Sequence, residues 1–93
     1  MSVVIIGGND CMVRKYKELC KVHNCKAKVF TQPSGNLKKQ IGSPDLLVLF
    51  TGTVSHKMIN AAVKEGERSM SKIVRSHSSS TAALSKILSE YAV

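Results

Sequence analysis

Along this chain, short unbroken apolar runs alternate with stretches whose apolar residues return every three or four positions, and glycine, serine or asparagine marks most of the switches. Val3-Val4-Ile5-Ile6, ended by Gly7-Gly8, predicts a strand buried on both faces that stops abruptly. Asn9 or Asp10 is placed to cap a following helix that turns Met12, Tyr16, Leu19, Cys20 and His23 inward. Lys26-Ala-Lys-Val-Phe30 alternates polar and apolar residues, as a strand nearer a sheet edge does, and Gln32-Pro-Ser-Gly-Asn36 reads as a loop. A short helix over Leu37–Ile41 leads to Asp45-Leu-Leu-Val-Leu-Phe50, the strongest strand pattern in the chain, entered through Gly42-Ser-Pro44 and left through Thr51-Gly-Thr53.

Ser55 is placed to cap a third helix with Met58, Ile59, Ala62 and Val63 inward, and Glu65-Gly66 predicts its end through a left-handed glycine. Lys72-Ile-Val-Arg75 predicts a fourth strand, and the polar loop Ser76-His-Ser-Ser-Ser80 opens a last helix with Leu84, Ile87, Leu88 and Tyr91 on one stripe. Four strand-then-helix units leave little topological choice, because parallel neighbours need right-handed helical crossovers. The pattern predicts one α/β domain over residues 1–93, a three-layer sandwich around a four-stranded parallel sheet in the order 2-1-3-4, Rossmann-like or flavodoxin-like, with a switch point between the first and third strands.

Composition narrows this reading without changing it. With 43% hydrophobic and 22% charged residues and only two prolines, the chain is of ordinary globular type, and its few aromatic residues leave the core to aliphatic side chains. No apolar run approaches the roughly 20 residues that cross a bilayer, and the N-terminus lacks the features of a secretory signal, so a cytoplasmic address without membrane partners is expected. Cys11, Cys20 and Cys25 are odd in number and lack Cys-x-x-Cys spacing, which reads as reduced thiols. The net charge of +8, from 14 basic and 6 acidic residues, favours an anionic partner, although solvated helix faces account for much of it.

Ligands of open α/β sheets bind beyond the carboxyl ends of the strands, so topology selects the candidates. They are Gly7, Gly8, Asn9 and Asp10 after the first strand; Thr51, Thr53, Ser55 and His56 after the third; and Arg75, Ser76, His77, Ser78, Ser79 and Ser80 after the fourth. Small residues let backbone N–H groups approach a ligand, and helix N-termini favour an anion. The plain alternative is that these serines and threonines simply cap helices. His56 and His77 are the candidates for acid-base or phosphoryl chemistry. Gly7-Gly8-Asn9-Asp10 is neither G-x-G-x-x-G nor a P-loop, which argues against dinucleotide-dependent or nucleotide-hydrolysing enzymes. Cys11 near a helix start suits a reactive thiolate unless it faces the core, and His23, Cys20 and Cys25 lack regular ligand spacing, so no metal ligand is assigned.

Ile5-Ile6-Gly7-Gly8, Val54-Ser55-His56 and Ser78-Ser79-Ser80 together resemble a small bacterial family, domain of unknown function 2325, over nearly the whole chain. The resemblance implies a compact bacterial cytoplasmic domain with no established reaction, and it favours Gly7, Gly8, Ser55 and His56 as site residues. The fold also looks like that of small phosphocarrier subunits of sugar phosphotransferase systems, which place a nucleophilic cysteine after the first strand; Gly7-Gly8 stands there instead.

The leading expectation is a domain that binds a small anionic, phosphate-containing ligand at these loops, its cofactor unassigned. Its rivals are a histidine-dependent phosphoryl-transfer or acid-base enzyme, a basic protein or nucleic-acid interaction module, with nucleic acid not favoured, and a histidine-based metal or haem site. Homodimerisation is expected too, since so small a domain leaves apolar surface exposed.

Overall fold

The computed structural model describes residues 1–32 and 37–91. Its elements follow the predicted order: β1 (Ser2–Ile6), a single 3-10 turn (Asp10–Met12), α1 (Val13–Val22), β2 (Lys26–Phe30), α2 (Leu37–Ile41), β3 (Leu46–Phe50), α3 (His56–Arg68), β4 (Lys72–Ser76) and α4 (Thr81–Tyr91). The four strands form one parallel sheet in the order β2-β1-β3-β4. Val3 stands opposite Ala27 on one side and Leu46 on the other, while Leu46 stands opposite Lys72. The expected α/β sandwich and strand order are therefore present. Of the predicted loop Gln32–Asn36, residues 33–36 lie outside the described residues.

Strand alternation sorts the core into two layers. Val3, Ile5, Leu46, Val48 and Phe50 point to the face covered by α1 and α4, where they meet Tyr16, Cys20, Leu84 and Leu88. Val4, Ile6, Leu47 and Leu49 point to the other face and meet Ile41 of α2 with Met58, Ile59 and Ala62 of α3. Because Val3–Ile6 of β1 and all of β3 are covered on both faces, they tolerate only apolar residues, which is why they read as unbroken runs.

Two local expectations are corrected. Neither Asn9 nor Asp10 caps α1 with its side chain; the chain first makes the 3-10 turn, and the Asp10 carboxylate instead accepts hydrogen bonds from Thr31 Oγ1 and Gln32 Nε2 beyond β2. Gly66 does not end α3. It is buried inside the helix, where a Cβ would lie 2.8 Å from Leu47 Cδ2 and 3.0 Å from Ile73 Cδ1, and the helix runs on to Arg68. The left-handed residue of that turn is Met70, with φ 58°. Glycine is present there because the helix packs closely on the sheet.

Candidate functional site

The loops after β1, β3 and β4 meet at the carboxyl ends of the strands and are held together by contacts that join residues far apart in sequence. Gly7 and Gly8 take φ of 107° and 88°, values that side chains rarely allow, and this turns the chain sharply out of the sheet. The turn brings the Gly8 N–H onto Thr53 Oγ1 at 2.7 Å, and Thr53 Oγ1 in turn donates to the Phe50 carbonyl at 3.1 Å. A Cβ on Gly7 would lie 2.9 Å from both Phe50 O and Thr53 Oγ1, so the switch point between β1 and β3 is a closed seam.

Tyr16 braces this rim from beneath. Its ring, fully buried, packs on Phe50 at 5.4 Å between centroids, and its edge fills the space where a Gly8 side chain would stand. The phenol donates to the Ser79 carbonyl at 2.5 Å, tying α1 to the loop before α4. The loop after β4 also rests on the loop after β3: a Cβ on Gly52 would fall 2.6 Å from the His77 carbonyl and 3.3 Å from its Nδ1. Sequence reasoning placed Tyr16 among core residues and missed this role. The available signal was the phenol itself, since a buried tyrosine must find an acceptor for its proton.

Many of the rim hydroxyls have internal partners. Ser55 Oγ accepts from the Met58 N–H at 3.3 Å and caps α3, as its position predicts. Ser80 Oγ accepts from Ala83 N–H at 3.1 Å and so caps α4; Ser78 Oγ donates to Ser80 Oγ and accepts from the Ser80 N–H. Ser76 Oγ donates to the Ser78 carbonyl, and Thr51 Oγ1 to that of Ser76. The structure thus gathers Gly7, Gly8, Thr51, Thr53, Ser55, Ser76, His77, Ser78, Ser79 and Ser80 into one rim. Asp10 is drawn to the β2 side, Asn9 is exposed beside it, and Arg75 is exposed within edge strand β4, on the face that Ile73 presents to α3. His56 and His77 are both exposed.

The electrostatics of the rim favour negative charge. Neither α3 nor α4 has an acidic residue in its first turn, so the positive ends of both helices are uncompensated, and Lys57 adds a cation to the start of α3. Residues 51–56 and 75–80 contain no carboxylate side chain.

The cysteines and His23 stand apart from this rim. Cys11 is exposed, whereas Cys20 and Cys25 belong to the core, with Cys25 Sγ donating to the His23 carbonyl at 3.4 Å. Burial, assisted by the adjacent Cys25, pushes the Cys20 thiol up to about 11. Among the described residues no three His, Cys, Asp or Glu side chains converge to hold a metal ion. None of the described helices is long and apolar enough to cross a membrane.

No curated protein and no solved structure matches the chain. A family model does, over residues 2–91, a span that includes the paired glycines, Val54-Ser55-His56 and the serines before α4. The chain belongs to the bacterial family DUF2325, described as "Uncharacterized protein conserved in bacteria".

Proposed function

We propose that this domain is a cytoplasmic binding module for a small phosphate-bearing anion, held where the loop after β4 rests on the loop entering α3. The observation that supports this most is the close approach of His77 to Gly52, its Nδ1 3.3 Å from where a Cβ would stand, which puts an imidazole against the loop that leads into α3, a helix with no acidic residue in its first turn. In this reading His77 and His56 donate to the anion's oxygens, Lys57 supplies charge, and Ser55, which caps only the Met58 N–H, leaves the preceding first-turn N–H groups to the anion. Gly7 and Gly8 shape the seam that positions Thr53. Asp10, turned toward Thr31 and Gln32, keeps its carboxylate off the anion. Binding in this reading needs no catalytic turnover, and a two-fold dimer is compatible with it because the rim lies at one end of the sheet.

Thermal unfolding with inorganic phosphate, sulfate, a sugar phosphate and a nucleoside monophosphate tests the proposal. A compound at ten times its Kd stabilises by roughly 1.4 kcal/mol, which raises Tm by about 6–10 °C in a domain of this size. The rise should disappear in His77→Ala and His56→Ala while the unliganded Tm stays nearly unchanged. Absence of any rise, or a rise equal in both variants, would overturn the assignment.

A further inference from the structure

The charge of this chain is unevenly placed. Residues 10–41 hold eight of its 14 basic residues and two of its six acidic ones, a net +6, against +2 on the rest. In the fold this segment is α1, β2 and α2, which wrap one edge of the sheet, α1 on one face and α2 on the other.

Two shallow depressions mark that edge. One, of about 490 Å³, runs along the outer side of α1 and is lined by Arg14, Lys17 and Lys21 together with Asp10, Val13 and Glu18. The second, of about 300 Å³, crosses the outer edge of β2 from Lys17 over Lys28 and Phe30 to Gln40 of α2. Lys17 lines both, so they form one continuous surface. Arg14, Lys17, Lys21, Lys28 and Lys39 are all exposed, with Lys28 Nζ donating to the Gln40 carbonyl at 3.3 Å on the same surface. The two acids of the segment are already engaged, Glu18 with Arg14 at 3.5 Å and Asp10 with Thr31 and Gln32.

We infer that the α1–β2–α2 edge is a docking surface for the phosphate backbone of double-stranded nucleic acid, read without regard to base sequence. Arg14, Lys17 and Lys21 recur at three and four residues along one side of α1 and span about 10 Å of helix axis, the length of roughly three phosphates on one strand. Lys28 continues the row across β2. Insertion into a membrane would need an apolar stripe facing outward, and that of α1, Tyr16 and Cys20, is buried in the core. Single strands are held by stacking bases on aromatic rings; no phenylalanine or tyrosine among the described residues is exposed, and the exposed imidazoles, His56 and His77, lie on the rim and not on this edge. With Glu18 paired to Arg14 and Asp10 held by Thr31 and Gln32, the surface keeps an excess of cations, which suits a rigid array of phosphates.

The test is fluorescence anisotropy with two labelled duplexes of about 20 base pairs and unrelated sequence, titrated between roughly 50 and 200 mM salt. Four phosphate contacts give a log–log salt slope near −3.6, a loss of about 150-fold over that range, the same for both duplexes. The variant R14Q/K17Q/K21Q/K28Q should weaken binding at least tenfold at low salt and flatten the slope. K64Q/R68Q/K72Q/K86Q removes the same charge from exposed positions on the other half of the molecule and should change it less than threefold. The single variant K17E should cost several-fold by itself, and circular dichroism should show every variant folded. No binding at low salt, equal losses in the two quadruple variants, or tighter binding to phosphatidylserine vesicles or polyglutamate than to DNA would overturn the inference.

Discussion

The central strands β1 and β3 and the edge strands β2 and β4 have the same length and opposite lives. All of β3 and four of the five residues of β1 are buried, whereas β2 and β4 contain only exposed and half-buried positions. The central pair holds the fold and ends in the braced seam of Gly7, Gly8 and Thr53. The edge pair carries Lys26, Lys28, Lys72 and Arg75, charges that also blunt the open strand edges against pairing with another sheet. A substitution should therefore cost stability at the centre and interaction at the edge.

The sharpest contrast sets Phe50→Ala against Val29→Ala. Removing the fully buried ring that Tyr16 packs on should cost about 3–5 kcal/mol in urea unfolding, and trimming the half-buried edge valine about 1 kcal/mol. Similar costs at the two sites would break the comparison. At the seam, Gly8→Ala combines a disfavoured φ with overlap on Tyr16 and should cost about 2–4 kcal/mol. Gly42→Ala, also at positive φ but with open space where the Cβ would stand, should cost only about 1 kcal/mol.

A third contrast lies in the thiols. The Cys20 thiol is raised from 9.0 to about 11 in the folded chain, chiefly by burial and then by Cys25, so above pH 9 the unfolded chain loses this proton more readily than the folded one. Stability from this group is complete below pH 9 and is lost as pH rises through 11, amounting to roughly 2–3 kcal/mol. Cys20→Ala should flatten that alkaline decline in a pH series of urea melts; an unchanged decline would place its origin elsewhere. Tyr16→Phe leaves the Ser79 carbonyl without its donor and should cost about 1–3 kcal/mol. The smallest effect is expected at the edge itself, where Lys28→Gln should shift stability by less than about 0.5 kcal/mol.

Much of the architecture was legible in the residue pattern, and the errors have identifiable causes. Strand-helix alternation implied the parallel sheet because crossovers are constrained in hand and length, and Ser55 and Ser80 were readable as caps because a cap is a local event within three residues. Asp10 was misread by the same local rule, since its partners, Thr31 and Gln32, lie 21 and 22 residues away. Gly66 was misread because glycine signals a helix end locally, whereas here it answers to Leu47 and Ile73 on the sheet beneath. Most of the candidate residues meet in one rim at the strand ends, but the closure of its seam by Thr53 on Gly8 was not foreseen.

The sequence by itself determined the order of elements, the apolar identity of β1 and β3 and the family to which the chain belongs, because periodicity, turn chemistry and short motifs act over a few residues. Only the tertiary structure decided that Thr53 closes on Gly8, that Tyr16 reaches Ser79 across 63 residues, and that Lys17 and Lys28 share one surface. Those pairings depend on how strands register and helices settle on the sheet. A polar side chain near several rims takes the partner that packing brings within hydrogen-bonding distance, and no local pattern carries that information.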